Sequence, residues 1–271
     1  MIHKSNNSSE EQHSEFLTVD NKNITLINND CLIAMRDIPD KSIDLILCDL
    51  PYGTTACKWD VIIPFDKLWE QYKRIIKPNG NIVLFSAGMF TYHLIQSNMK
   101  DFRYKLIWKK NVPTGMASAK YRPMKYYEEI CVFGKSKATY NPVMKERVGV
   151  GKDCYNYDHY CGANNHLDIK KQKRRYDPNF VQPSDVLDFN VVPNRNGKLH
   201  PTQKPIDLLE YLIKTYSNKG DIVLDNCMGS GSTAIACLNT ERRFIGIELD
   251  KTYFQKAKER ITQHTPQLQL F

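Results

Sequence analysis

Residues 222–234 read Ile-Val-Leu-Asp-Asn-Cys-Met-Gly-Ser-Gly-Ser-Thr-Ala, an apolar run followed by a glycine-containing turn and then by small residues. This order predicts a buried strand, a sharp turn and a helix that begins at the turn. Glycine lets the backbone approach a ligand, and the first turn of a helix offers unpaired N–H groups. Another apolar run ends at Glu248, nineteen residues after Gly229, where a carboxylate can accept hydrogen bonds from ribose hydroxyls. The pattern indicates a pocket for an adenosine-containing cofactor.

The glycine pattern alone leaves the cofactor open. A Gly-x-Gly-x-x-Ala turn fits a nicotinamide enzyme about as well as a methyltransferase, and glycines at such turns are often purely structural. Ser232 and Thr233 are similarly open, since they either cap the helix or hydrogen-bond a cofactor carboxylate. We favour a combination of capping and contact. A second site is needed to choose between the cofactors.

That second site follows the apolar run of residues 43–48, which leads directly into Asp49-Leu50-Pro51-Tyr52. Ligands of open parallel sheets bind beyond the carboxyl ends of the strands, so Asp49 and Tyr52 are expected to face the same crevice as Asp225. The proline fixes the turn between them. Taken alone, the segment also fits a surface turn with a capping aspartate.

The rest of the chain alternates strand and helix patterns, which predicts a doubly wound α/β sheet. Strands are predicted at 24–28, 43–48, 81–85, 104–108, 129–133, 222–224 and 244–247, and helices at 31–38, 65–77, 206–216 and 232–238. The apolar periodicity is lost between about residues 135 and 198, which indicates an insertion. Residues 1–20 are polar and predict a mobile arm.

The insertion carries a basic segment that is preceded by several tyrosines. Its cations are Lys170, Lys171, Lys173, Arg174 and Arg175. Clustered cations with aromatic neighbours suit a phosphate backbone and exposed bases, although such runs are also common on solvated surfaces. The whole chain has 38 Lys and Arg against 30 Asp and Glu, and this net charge of +8 favours an anionic partner.

Three segments together resemble the circularly permuted β group of DNA amino-methyltransferases. Asp49 to Tyr52 is similar to the Asp-Pro-Pro-Tyr motif of that group, residues 225–231 resemble its cofactor loop, and residues 200–205 resemble its His-Pro-x-x-Lys-Pro segment. The catalytic motif precedes the cofactor loop, as in the β group. Leu50 replaces the first proline, and residues 226–228 replace the usual lead-in to the loop. Position 50 would act through its backbone carbonyl, which a leucine also provides.

The resemblance implies a Rossmann-like, mostly parallel, seven-stranded methyltransferase sheet with an inserted target-recognition region. It divides the chain into the arm (1–20), a catalytic half (21–134), the insertion (135–197) and a cofactor-binding half (198–271). Double-stranded DNA is the implied partner, and a homodimer is also implied.

The resemblance implies S-adenosylmethionine as the cofactor. The residues implied to line it are Asp30, Asp49, His200, Thr202, Lys204, Asp225, Cys227, Gly229, Gly231, Ser232, Thr233 and Glu248. Asp30 fits a helix N-cap equally well. An exocyclic amino nitrogen is a poor nucleophile, so the Asp49 carboxylate and the Leu50 carbonyl are expected to accept its hydrogens and free its lone pair. Tyr52, held by Pro51, is expected to stack on the flipped base.

Adenine N6 is the preferred target because the cytosine-N4 enzymes more often have serine at position 49. Cytosine N4 is the first alternative, followed by an RNA or protein methyltransferase, a nicotinamide-dependent oxidoreductase and a non-catalytic DNA-binding protein. The eight cysteines lack the spacing of zinc ligands, so no metal is predicted. Neither an apolar run of about 20 residues nor a signal peptide is recognisable, which predicts a cytoplasmic enzyme without a membrane partner.

Overall fold

The computed structural model describes residues 15–19, 23–54, 60–135, 137–146, 179–192 and 203–264, the first range by its backbone alone. The chain divides into two compact units, one of residues 142–184 and one of residues 1–141 with 185–271. Within the described ranges, no helix is long and apolar enough to cross a bilayer.

The larger unit is built on one sheet. Its strands are β1 (Glu15–Val19), β2 (Ile24–Asn28), β3 (Ile43–Asp49), β4 (Ile76–Ser86), β5 (Phe102–Thr114) and β6 (Lys125–Gly134), and, after the small unit, β9 (Val186–Asp188), β10 (Ile222–Asp225) and β11 (Arg243–Glu248). The small unit contains β7 (Lys145–Glu146) and β8 (Phe180–Val181), which pair antiparallel. The helices are α1 (Cys31–Ala34), α2 (Phe65–Ile75), α3 (Met89–Ser97), α4 (Ile206–Tyr216), α5 (Ser232–Asn239) and α6 (Lys251–Gln263).

Among the described residues, the large sheet has nine strands in the order β1-β2-β11-β10-β3-β4-β6-β5-β9. The neighbours from β2 to β4 are parallel, β6 is antiparallel to both β4 and β5, and β9 is parallel to β5. The Rossmann-like α/β architecture is therefore confirmed, but the expected number of seven strands is wrong. The seven predicted strands form the middle, and β1 and β9 extend the two edges.

Both edge strands lie in segments for which the sequence predicts something else. Residues 15–19 pair antiparallel with β2, so this part of the predicted mobile arm is a strand. Residues 186–188 join the large sheet, so the separate unit of residues 142–184 is narrower than the predicted insertion of 135–197. Edge strands are paired on one side only and are short, which leaves little periodicity to detect.

The buried strands of the centre pack helices on both faces. In β3, Leu45 and Leu47 join the core cluster that includes α4 and α5, while Ile46 and Cys48 join the cluster that includes α2 and α3. Burial on both faces explains why β3 is a continuous apolar run and not an alternating one. Because β3, β10 and β11 are parallel, their carboxyl ends meet at one edge of the sheet, where doubly wound folds bind their ligands.

The helix predictions are partly correct. The bounds of α4 are as predicted, α2 ends two residues early, and α5 is one residue longer. The predicted helix 31–38 is a single α-helical turn followed by a 3-10 turn at residues 35–37. Helices α3 and α6 were missed, although Asp250 caps α6 and its buried Phe254, Ala257 and Ile261 have helical spacing.

Candidate active site

A cavity of about 710 Å³ lies at the carboxyl ends of β3, β10 and β11. The predicted site residues that line it are Asp30, Asp49, Leu50, Pro51, Tyr52, Lys204, Asp225, Cys227, Gly229, Ser232, Thr233 and Glu248. The two motifs, which are far apart in sequence, therefore face one space. His200, Thr202 and the five cations of the basic segment lie outside the described residues.

Glu248 ends β11 and holds the glycine turn from the side of the cavity. Its Oε2 accepts a hydrogen bond of 2.9 Å from Gly229 N–H, and its Oε1 accepts one of 2.8 Å from Asp250 N–H. Burial raises the pKa of Glu248 to about 7, even though these two backbone donors act in the opposite direction. Each oxygen keeps a further acceptor position, so the ionised carboxylate can still accept from a ligand hydroxyl.

Asp225 braces the same turn from β10. Its Oδ2 accepts a hydrogen bond of 2.7 Å from the Thr233 hydroxyl, and its Oδ1 accepts one of 3.1 Å from Cys227 N–H. Burial raises the pKa of Asp225 to about 6. These bonds give the loop between β10 and α5 a fixed shape before any ligand binds.

The start of α5 differs from the expected arrangement. Gly231, with φ of 72°, is the N-cap, and no side chain caps the helix, so capping by Ser232 or Thr233 is not observed. Gly231 is not among the residues that line the cavity. A Cβ at Gly231 would lie 3.2 Å from Ala257 Cβ and 3.0 Å from a methyl of Ile261, so this glycine allows α6 to pack closely.

Asp30 caps a helix and also lies at the cavity. Its carboxylate accepts hydrogen bonds of 2.7 Å from Leu32 N–H and 3.3 Å from Ile33 N–H, which makes it the N-cap of α1. The side chain lines the cavity in the same position.

Asp49 stands at the end of β3 and is held from two sides. The Tyr52 hydroxyl donates to Oδ1 at 2.8 Å, and the Lys204 ammonium donates to Oδ2. The ring of Tyr52 packs on Phe90, with the centroids 4.8 Å apart. The Leu50 side chain is buried in the core, so the residue that replaces the usual proline is accommodated by packing.

Lys204 belongs to a row of four charged side chains of alternating sign that starts at Asp49. Its Nζ lies 3.5 Å from Glu128 Oε2, and Lys110 Nζ lies 3.0 Å from Glu128 Oε1. The side chains of Lys204 and Lys110 are only 9% and 3% exposed. Glu128 and Lys110 were not predicted, because neither position shows a local motif.

The ionisation of this row follows from its neighbours. Burial alone would lower the pKa of Lys204, but the Asp49 and Glu128 carboxylates outweigh burial and raise it. Burial would raise the pKa of Glu128, but Lys204 and Lys110 outweigh it and lower that pKa. Burial raises the pKa of Asp49, and Lys204 opposes this shift. The row therefore contains an ionised Lys204–Glu128 pair next to a carboxyl group whose affinity for a proton is increased.

The Asp49 carboxylate can accept hydrogen bonds from the amino group of one ligand while a second ligand lies against Glu248 in the same cavity. A carboxylate has about four acceptor positions, of which Tyr52 and Lys204 occupy two in Asp49. Among the described residues, no group of three or more His, Cys, Asp or Glu side chains could hold a metal ion.

The sequence of this chain is similar to those of known DNA methylases. The profile of the N6/N4 DNA methylase family matches residues 43–259. Type II methyltransferase M.HpaI of Haemophilus parainfluenzae is 32% identical over 254 residues, which cover 87% of this chain and 73% of that protein. Type II methyltransferase M.BglII of Bacillus subtilis is 29% identical over 258 residues, which cover 86% and 67%.

Solved structures show the same similarity. The M1.HpyAVI–SAM complex has a TM-score of 0.60 and 26% identity, with 88% of this chain and 98% of that chain covered. The cytosine-N4-specific PvuII DNA methyltransferase has a TM-score of 0.64 and 15% identity, with 90% and 87% covered, and its likeness concerns the fold alone.

Proposed function

The chain belongs to the N6/N4 DNA methylase family, and we propose that it transfers the methyl group of S-adenosylmethionine to N6 of adenine in double-stranded DNA. The observation that carries this proposal is the position of the Asp49 carboxylate in the same cavity as Glu248 and the Gly229 turn. An aspartate at this position favours adenine over cytosine N4 by the family resemblance described above.

The cavity fits S-adenosylmethionine through its polar wall. The two oxygens of Glu248 are anchored by backbone N–H groups and keep acceptor positions for both ribose hydroxyls. Asp30 is proposed to face the adenine and Asp225 to line the opposite wall, together with Cys227, Ser232 and Thr233. When bound, S-adenosylmethionine supplies an electrophilic methyl group on its sulfonium.

Asp49 and the backbone carbonyl of Leu50 are proposed to accept the two hydrogens of the target amino group. This hydrogen bonding would turn the nitrogen toward tetrahedral geometry and direct its lone pair at the methyl group. The gain is largest as positive charge develops on nitrogen, which is where catalytic stabilisation counts. The raised pKa of Asp49 suits it to hold the proton that the methylated nitrogen releases.

Nucleoside mass spectrometry and base-resolved methylation sequencing of duplex DNA incubated with the protein and S-adenosylmethionine test this proposal. We expect N6-methyladenine at one short sequence. N4-methylcytosine would establish the alternative target, and an unmodified duplex alongside methylated RNA or protein would overturn the choice of substrate.

Seven residues outside the described ranges are proposed to contact DNA or the cofactor. We propose that Lys170, Lys171, Lys173, Arg174 and Arg175 contact phosphates within a target-recognition region, and that His200 and Thr202 wall the cofactor site. A homodimer is carried forward from the family resemblance.

We predict that Tyr52→Phe retains more activity than Tyr52→Ala. Phenylalanine removes only the hydroxyl that donates to Asp49 at 2.8 Å, and one hydrogen bond is worth about 0.5–1.5 kcal/mol, or roughly 2- to 13-fold in rate. Alanine also removes the ring, and base–aromatic stacking is worth about 1–3 kcal/mol, which adds roughly 5- to 150-fold. Single-turnover rates on matched duplexes measure both effects.

A mismatch opposite the target base separates the two roles of Tyr52. An unpaired base leaves the stack more easily, so the mismatch should rescue Tyr52→Ala and leave the defect of Tyr52→Phe unchanged. If Tyr52→Phe is as impaired as Tyr52→Ala and neither variant is rescued, the hydroxyl is the important group and stacking is not.

We predict that Glu248→Ala weakens S-adenosylmethionine binding by about 5- to 150-fold. Without the carboxylate the ribose hydroxyls of the ligand lose their acceptor, and leaving a buried polar group unpaired costs about 1–3 kcal/mol. Binding to the wild type should also depend on pH. The ionised carboxylate accepts from the ribose, and its pKa lies at about 7, so affinity should fall as the pH drops below 7. Isothermal titration between pH 6 and 8.5 measures this dependence.

Two control variants sharpen the Glu248 experiment. Glu248→Gln keeps the size of the side chain but cannot titrate, so its affinity should lose the pH dependence around pH 7. Glu70→Gln removes a carboxylate from an exposed position of α2 and should bind as the wild type does. Unchanged affinity in Glu248→Ala would remove Glu248 from the cofactor site.

A further inference from the structure

A hairpin at the cavity is rich in positive charge, which Glu128, Glu129 and Asp188 offset in its strands by pairing with Lys110, Lys105 and Lys109. Residues 102–127 contain seven lysines and arginines and neither aspartate nor glutamate. They form β5 and the start of β6, which pair antiparallel. Residues 115–124, which join the two strands, form the hairpin tip.

The hairpin tip presents an aromatic ring between two cations. Tyr121 is 89% exposed, and its neighbours Lys120 and Arg122 are exposed as well. Met116, also in the tip, is 73% exposed. Large apolar side chains that stay in solvent beside clustered cations are typical of a binding surface for a partner with negative charge and apolar faces.

The backbone of the tip forms a hydrogen-bonded turn. Gly115 adopts a left-handed φ of 94°, and Ser118 N–H donates to the Gly115 carbonyl at 2.9 Å. The Ser118 carbonyl in turn accepts from Tyr121 N–H at 2.9 Å and from Arg122 N–H at 3.1 Å. The exposed ring is thus carried on a defined turn, which lowers the entropy lost when it is immobilised by a partner.

The position of the hairpin connects it to catalysis. Lys110, Val112, Pro113 and Thr114 of β5 line the cavity that contains Asp49. The tip follows Thr114 directly in the chain, so it adjoins the wall of the cavity that contains Asp49.

From these observations we propose that the hairpin tip is a DNA-binding element that binds the duplex next to the target base. Lys120 and Arg122 bind phosphates, and the Tyr121 ring enters the stack where the flipped base has left it. This inference rests on the proposed base-flipping function. An aromatic ring in the gap returns part of the stacking that flipping removes, and the two cations offset the phosphate charge around it.

The test uses the full chain with S-adenosylmethionine and an unmodified duplex that contains the sequence recognised for methylation. Lys120→Ala/Arg122→Ala should reduce the slope of log affinity against log salt by about 0.9 for each phosphate that is no longer neutralised. Lys214→Ala/Lys219→Ala is the matched control. It also removes two positive charges, but these lie near the amino end of β10, whereas the cavity lies at the carboxyl end. The control should keep the wild-type slope.

Tyr121→Ala should lower the flipped fraction, which is measured by fluorescence of 2-aminopurine at the target position, and should reduce kcat/KM about 5- to 150-fold. Tyr121→Trp keeps an aromatic face and should restore most of both signals. The affinity for S-adenosylmethionine should not change in any of these variants, since the tip does not line the cofactor cavity.

The outcomes separate this inference from the function on which it rests. If the wild type methylates and flips its target while the hairpin variants retain the wild-type slope and flipped fraction, the hairpin proposal is overturned and the function stands. If the wild type methylates DNA without a flipped base, the proposed base flipping fails, and the role of Tyr121 fails with it.

Discussion

Replacing Asp49 with alanine is expected to reduce methyl transfer by at least about 10²- to 10³-fold, the usual loss when a preorganised catalytic hydrogen bond is removed. Cofactor affinity should stay within a few-fold of the wild type, because the proposed ribose contacts of Glu248 and the Gly229 turn lie on β11 and the β10–α5 loop. The fold should also survive. Lys204 keeps Glu128 at 3.5 Å when Asp49 is gone, so no buried lysine loses all of its partners.

Single-turnover methylation and isothermal titration with S-adenosylmethionine measure the two effects separately. Asp49→Asn tests the charge, since it keeps the shape and one acceptor oxygen, and it should recover only a small part of the activity. Asp40→Ala is the matched control, because its exposed carboxylate pairs with Arg74 at the amino end of β3. A loss of cofactor binding as large as the loss of rate would place Asp49 on the cofactor and not on the base.

The centre of the fold was predictable because its signals are local. A strand buried on both faces needs a continuous apolar run, and a tight turn before a helix needs glycine, so β3, β10 and the Gly229 turn can be recognised from neighbouring residues alone. Ligands of open parallel sheets bind beyond the carboxyl ends of the strands, so Asp49 and Glu248 can be expected at one site without knowledge of the loops. The edge strands β1 and β9 carry weaker signals because they have one partner each.

The charged row behind Asp49 was not predictable from the sequence. Lys204 lies 155 positions from Asp49 in the chain, and Glu128 belongs to an antiparallel strand two places from β3 in the sheet. The pairing of β6 with β4 on one side and with β5 on the other brings Glu128 toward the site. The sequence predicts that the segment containing Lys204 walls the cofactor site, and the structure adds that its ammonium is bound to the Asp49 carboxylate.

The opposite case is Gly231, whose motif position suggested a cofactor contact. Sequence cannot distinguish a glycine that admits a ligand from one that admits a neighbouring helix, because both require the missing Cβ. Here the close neighbours are Ala257 and Ile261 of α6. Since α6 was not predicted, the packing role of Gly231 could not be predicted either.

Replacing Lys204 with methionine is expected to lower the free energy of unfolding at pH 8 by about 3–5 kcal/mol, the cost of removing one partner from a buried ionic group. Asp49 and Glu128 would then face each other with Lys110 as the remaining nearby ammonium. Methionine keeps an unbranched apolar side chain but loses the ammonium, whose Nζ also lies 4.9 Å from the centroid of the Phe85 ring, so the loss is mainly electrostatic. Chemical denaturation measures it.

The pH dependence of this loss has a defined sign. Without Lys204, the pKa of Asp49, which burial already raises, rises further, and that of Glu128 keeps only Lys110 to lower it. The variant is therefore destabilised at pH values where the carboxyl groups of the unfolded chain are ionised. The difference from the wild type should therefore shrink as the pH falls toward about 4, where carboxyl groups bind protons in both states.

A double variant distinguishes charge from packing. Lys204→Met/Asp49→Asn leaves the Lys110–Glu128 pair complete and no buried carboxylate alone, so it should recover most of the stability and none of the activity. Lys214→Met is the matched control, since it breaks an exposed pair with Glu210 on α4 and should cost no more than about 0.5 kcal/mol. If the double variant is as unstable as Lys204→Met alone, the lysine acts through packing, and the row of alternating charges does not position Asp49.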